Sequence, residues 1–221
     1  MALTLANAIT EVRYILNEPN AVFWSDAEIT LWLQEGSRII ASALQSVEAD
    51  NDITLATSQL SYTSSDESWI GDCLVPYAAI YNGSSNKYKG LQFIHPKQIG
   101  NLLTFTPGEP RYYSFHNRTF YIWPLPTSTE NGGSVTVLYA KESDDITELS
   151  DEYQHLAIIW AQAKSYEKDR MNAQAQALKQ QVFSELQFAK EDKLNRPGES
   201  PRDVKTGKTS KGMIGNGQPR R

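Results

Sequence analysis

Three histidines, one cysteine and the adjacent acids of two predicted loops are the first side chains to consider for chemistry, and their spacing decides what they can do. A zinc hydrolase places two histidines one helical turn apart, as in HExxH, and a redox or zinc site uses CxxC. Neither pattern is present. His95, His116 and His155 stand far apart; His95 precedes a proline in a loop, and His155 falls in the first turn of a helix. Structural or surface roles are expected for all three rather than metal binding. Cys73, between Asp72 and Leu74, reads as a small core residue rather than a nucleophile. The acid pairs Asp66-Glu67 and Asp144-Asp145 sit in predicted loops as solvated charge, with no spacing that would converge two carboxylates on a substrate. The glycines at 212, 215 and 217 have the wrong order for a phosphate loop and no strand before them. No catalytic site, cofactor or metal is expected.

Two features keep a binding role open. Tyr112, Tyr113, Phe115, Phe120, Tyr121 and Trp123 crowd one stretch beside Arg111 and Arg118, as base stacking on a sheet would require. Strand alternation instead puts about half of such rings into a core. The second feature is charge. Residues 196–221 hold seven Lys/Arg and two Asp/Glu, hence +5, while residues 1–195 hold 14 and 24, hence −10. The basic residues of the tail are dispersed among Gly, Pro and Ser, which suits phosphate contacts or docking on an acidic protein surface. A segment so poor in apolar residues cannot offset its own ordering entropy and is expected to be disordered until a partner holds it. Met213 and Ile214 form its one apolar pair.

The elements that carry these residues follow from periodicity. Residues 24–47 predict a helix whose start is written twice. Ser25 and Glu28 form a capping box, and Trp24 and Ile29 have the spacing of a hydrophobic staple. Ile29, Trp32, Leu33, Gly36, Ile40, Ala43, Leu44 and Val47 share one face, where Gly36 lets a second backbone come close. Residues 5–16 predict an earlier helix capped by Thr4 and ended before Pro19, so the two make a helical hairpin. After Asp52 the period changes to two. Short strands are expected around 53–62, 69–82, 88–94, 111–115, 119–123 and 134–140, with Pro76 marking an edge or a bulge and a helical turn at 96–103. Helical spacing returns at Ser150, an expected N-cap, and Leu156, Trp160 and Ala163 share a face. A turn at 170–172 leads to a last helix over about 173–194, with Leu178, Val182, Leu186 and Ala189 as its stripe. The fold class is therefore α+β: a four-helix core of two hairpins, an inserted small antiparallel β-module and an extended C-terminal arm. The divisions are 1–51 for the first hairpin, 52–145 for the β-module, 146–195 for the closing helical pair and 196–221 for the arm.

With 40% apolar residues in 221 the chain can bury a sizeable core. No run of about 18 apolar residues exists to cross a membrane, the first residues do not read as a secretory signal, and one cysteine permits a reducing cytoplasm.

Three parts of the chain together resemble the head-to-tail connector (adaptor) proteins of tailed bacteriophages. NEPNAVFWSDAEITLWLQEG resembles their opening hairpin. GEPRYYSFHNRTFYIWPLPTSTENGGSVTVLYAKE is similar to the β-hairpin of longer members, and LSDEYQHLAIIWAQAKSYEKDRMNAQAQALKQQVFSEL to their closing helices. The resemblance implies a non-enzymatic structural protein of the virion, assembled in the host cytoplasm at the head-tail interface. It implies a homo-oligomeric ring, usually of twelve copies, below the portal protein. The ring extends the DNA channel, with genomic DNA passing through without sequence-specific binding, and offers a docking site to tail, nozzle or stopper proteins and tail fibres. No membrane is involved. Its portal-binding arm would use Arg202, Lys205, Lys208, Lys211, Met213, Ile214, Arg220 and Arg221. Against this stand a nucleic-acid-binding module using the basic tail and aromatic β-module, and a hydrolase of cell-surface polymers, for which no residue spacing speaks.

Overall fold

The computed structural model describes residues 3–18, 20–83, 88–95, 97–98 and 106–195, with side chains up to 192. It is mixed α+β, with four α-helices and two largely antiparallel four-stranded sheets. The helices are α1 (Leu5–Ile15), α2 (Asp26–Leu44), α3 (Asp151–Lys168) and α4 (Asn172–Asn195). Thr4 caps α1 through its side chain. The helix stops at Ile15, before the expected Leu16, and Asn17 then turns left-handed at φ 53°. The capping box of α2 is complete: the Glu28 N–H donates to Ser25 Oγ at 3.2 Å and the Ser25 N–H to Glu28 Oε2 at 3.2 Å. Trp24 sets its ring edge-on to Trp32, centroids 5.5 Å apart. Gln45, left-handed at φ 49°, closes α2 at Leu44, ahead of the expected 47.

The most enclosed helix is α3. It buries Gln154, Leu156, Ala157, Ile158, Trp160, Ala161, Ala163 and Ser165, more than one stripe, because α1, α2 and α4 all pack against it. Ser150 takes the N-cap position without a side-chain hydrogen bond. Gly36 of α2 faces α3 closely: a Cβ there would lie 3.1 Å from Trp160 Cβ and 3.2 Å from Ala157 Cα. One apolar cluster joins Val12, Ile29, Leu33, Ile40, Leu156, Trp160, Val182 and Leu186 across the four helices.

The strands are β1 (Glu48–Thr54), β2 (Ser61–Tyr62), β3 (Cys73–Asn82), β4 (Tyr88–Gly90), β5 (Gln92–Phe93), β6 (Tyr112–His116), β7 (Thr119–Trp123) and β8 (Ser134–Lys141). One sheet has the order β1-β8-β3-β4, the other β2-β7-β6-β5, and only β5 and β6 run parallel. β1 starts at Glu48, ahead of the change of period: its acids alternate outward while Ala49 and Ile53 face the core. The run 88–94 is not one strand. It crosses between sheets at Leu91, whose N–H donates to Ala79 O, before the Gln92 N–H donates to Arg111 O. Pro76 sits at a register shift in β3, as its missing donor requires. Ile53, Tyr62, Phe120, Ile122, Val135, Val137 and Tyr139 fill the cluster between the sheets. Of the expected helical turn at 96–103, only residues 97 and 98 are described, and both are helical.

Candidate docking surfaces

The residues first considered for chemistry mostly hold the fold together. Cys73 is buried, and burial pushes its thiol pKa up to about 12, so it stays protonated and unreactive. His155 Nε2 lies 2.9 Å from Glu185 Oε2, joining α3 to α4. The acid pairs do more than meet water. Asp66 accepts from the Thr63 N–H at 2.7 Å, and that bond holds its carboxyl below the usual aspartate value. Glu67 accepts from the Thr54 N–H, Asp145 from the Thr147 N–H, and Asp144 pairs with Arg38. Their spacing as loop caps was not visible without the turns. Among the described residues no three His, Cys, Asp or Glu come together to hold a metal ion, and no helix is long and apolar enough to cross a membrane.

The aromatic stretch is mainly core. Tyr113, Phe120 and Trp123 are buried; Tyr112, Phe115 and Tyr121 are half-buried. Arg118 donates to Glu142 Oε2 at 3.0 Å and to Gly71 O, so it is bound into the sheet's rim. Glu142 also meets Arg38 of α2 at 3.5 Å, and the Tyr77 hydroxyl donates to Gln45 O at 3.1 Å, which ties the sheets to the helices.

What remains outward-facing is a set of surfaces. The loop between α1 and α2 is tied down by a set of contacts to Arg13 and Glu18. Arg13 is buried and its guanidinium reaches three partners: Nε donates to Asp26 Oδ1 at 2.9 Å, Nη2 to Trp24 O at 2.7 Å, and Nη1 lies 3.8 Å from Glu18 Oε2. Glu18 Oε1 accepts from three successive backbone amides, Val22 at 2.9 Å, Phe23, and Trp24 at 3.2 Å. Loss of water around Glu18 works to raise its pKa; the Phe23, Trp24 and Val22 amides and Arg13 outweigh that and hold it below the usual glutamate value. Glu28, lowered first by its hydrogen bond from Lys168, fastens the start of α2 to the end of α3. The loop presents Val22 and Phe23 at 81% and 76% exposure, and Tyr14 at the end of α1 is 85% exposed. Exposed aromatic side chains such as Tyr14 and Phe23 are of the kind enriched at protein interfaces.

Sequence reasoning missed these residues, and it missed Phe183 and Phe188 on α4 for a related reason. Both lie off the stripe that docks the helix, at 53% and 73% exposure. An aromatic residue outside a helix's core stripe is the signal that could have found them. On the first sheet, Glu48, Asp50 and Asp52 project from the edge strand β1, opposite Ala140, Leu138 and Thr136. Acids at an open edge discourage strand pairing with another chain.

A family profile described as SU10 adaptor protein matches residues 3–202. The chain belongs to the SU10 adaptor protein family. The match spans all four helices and both sheets, so the resemblance to phage head-to-tail adaptors holds over nearly the whole chain. No curated protein matches it. The arm residues expected to bind a partner in this SU10 adaptor, Arg202, Lys205, Lys208, Lys211, Met213, Ile214, Arg220 and Arg221, lie outside the described residues.

Proposed function

We propose that this phage adaptor is a structural, non-enzymatic component of the virion. It forms a closed ring, of twelve copies as in the adaptors it resembles, below the portal protein at the head-tail interface. The four helices act as two hairpins completing one core. The β-module, inserted between them, faces the next tail component. The basic arm 196–221 reaches the portal. The observation that carries this reading is the family match across residues 3–202.

Two properties support it. The body is −10 against the arm's +5, so DNA passes an acidic wall without sticking while the arm has charge to place on a partner. The exposed apolar groups sit on well-anchored elements, which suits permanent assembly rather than turnover of a small substrate.

The test compares the full chain with one ending at Asn195, each mixed with the portal protein of the same virus and weighed by native mass spectrometry. The full chain is expected to form a ring on the portal. The shortened chain is expected to keep its circular dichroism spectrum and lose portal binding; retained binding removes the arm from the reading. A chain indifferent to portal but shifted by DNA, with affinity falling steeply in salt, replaces it with the nucleic-acid-binding module.

A further inference from the structure

Helices α1, of 11 residues, and α4, of 24, both pack on α3. The Leu3 N–H donates to Gln154 Oε1 near the start of α3, while Arg13 at the other end of α1 meets Asp26, close to where Lys168 pairs with Glu28. On α4, Lys179 Nζ lies 2.7 Å from Glu167 near the end of α3, and Glu185 pairs with His155 near its start. Both helices also touch α2, while contact between α1 and α4 is at most marginal. Two rods that share the same two neighbours while barely meeting lie on different flanks of the α2–α3 layer.

The two flanks have a composition that water alone does not explain. From Asn172 to Phe188, no exposed position of α4 carries a charge; charge returns at once beyond it, with Lys190, Glu191 and Asp192. The exposed positions from Thr4 to Ile15 carry one, Glu11. The chain as a whole is 21% charged. Depletion of charge together with exposed aromatic groups is the mark of an interface core. The shapes differ as well. On α4, Phe183 and Phe188 are five residues apart, about 140° round the helix, and flank a low strip of small and amide side chains that includes Ala177 and Ser184. On the side of α1, Tyr14 projects from the helix end and Phe23 from the loop that follows it.

We propose that the α1 flank of one copy seats on the α4 flank of the next, with Tyr14 and Phe23 entering the strip between Phe183 and Phe188. This rests on the ring reading, since a closed ring joins two different faces of one molecule. It adds which faces meet, and it gives the outward aromatics of both flanks one shared occupant, a second copy of this chain.

The experiment uses the full chain carrying F23C, F188C or both, with and without the portal protein of the same virus, treated with a short bismaleimide. The native Cys73 is buried and does not compete. The double variant is expected to give a covalent ladder of oligomers, and a mixture of the two single variants to give dimers. Either single variant alone is expected to stay monomeric. Dimers from F188C alone mean a two-fold α4–α4 contact and overturn the proposal. A ring seen by mass without any F23C–F188C product overturns it and leaves the ring intact. No oligomer under either condition overturns both. As a second readout, Phe188→Glu is expected to keep the melting temperature and to raise about tenfold the concentration at which oligomers appear; unchanged assembly overturns the proposal.

Discussion

Gly36 is the residue on which the helical packing turns. An added Cβ would meet Trp160 Cβ at 3.1 Å and the backbone of Ala157 at 3.2 and 3.3 Å, and backbone cannot step aside as a flexible side chain can. Gly36→Ala gains about 1 kcal/mol of helix propensity, which partly offsets that crowding. Gly36→Leu has no such compensation: it forces α2 away from α3 and is expected to cost about 3 kcal/mol, read from urea denaturation. A Leu variant as stable as the parent means the two helices are not held at this approach. Arg13 works differently. Its charge is buried because Asp26, Glu18 and the Trp24 carbonyl surround it, so its value lies in fixing a loop whose outward side chains are apolar.

At the scale of elements, α4 differs from the other helices. It is 24 residues long and buries Ala175, Val182 and Leu186, so a narrow stripe holds it to α3. Within that stripe Leu186→Ala is expected to cost about 3 kcal/mol by leaving a cavity. Phe188→Ala, two residues on, is expected to change stability of the isolated chain by no more than about 0.5 kcal/mol. Thermal melts of the two variants check this directly, and a large loss in Phe188→Ala would mean the ring packs within its own molecule. The sheets are anchored more evenly. β8 lies between β1 and β3 and supplies Val135, Val137 and Tyr139 to the core, so it holds one sheet together as α3 holds the helices.

At the scale of the whole molecule, acids fasten helix ends to one another and close turns. Glu28 is lowered first by Lys168, Glu167 by Lys179, Glu130 by Thr127 and Asp66 by the Thr63 amide, while Glu18 is lowered by three amides against its loss of water. Each folded-state pKa lies below its ordinary value of 4.5 for Glu or 3.8 for Asp. The folded chain therefore binds fewer protons than the unfolded one in this range, and protonation favours unfolding. These contributions are fully present above pH 4.5 and are lost as pH falls through the lowered values. Urea midpoints are expected to change little between pH 7 and 5 on this account and to fall steeply below about pH 4. A midpoint that holds at pH 3 would mean these contacts contribute little to the fold.

Much of this was written in local pattern. Ser25 and Glu28 specify the start of α2 because a capping box needs only four residues, and the hairpin strands β6 and β7 follow from alternation alone. The same locality limits the sequence. It could not place Leu91 as the point where one run changes sheets, or make α3 rather than α2 the enclosed helix, because both depend on which elements pack on either side. The roles of Asp66, Glu67 and Asp145 needed the turns that bring amides to their carboxylates. The family and the mixed α+β class were legible in the order of motifs along the chain. Which aromatic rings outside the helices stay exposed, Phe23 among them, was decided only in three dimensions, because exposure there depends on the neighbours a residue fails to meet.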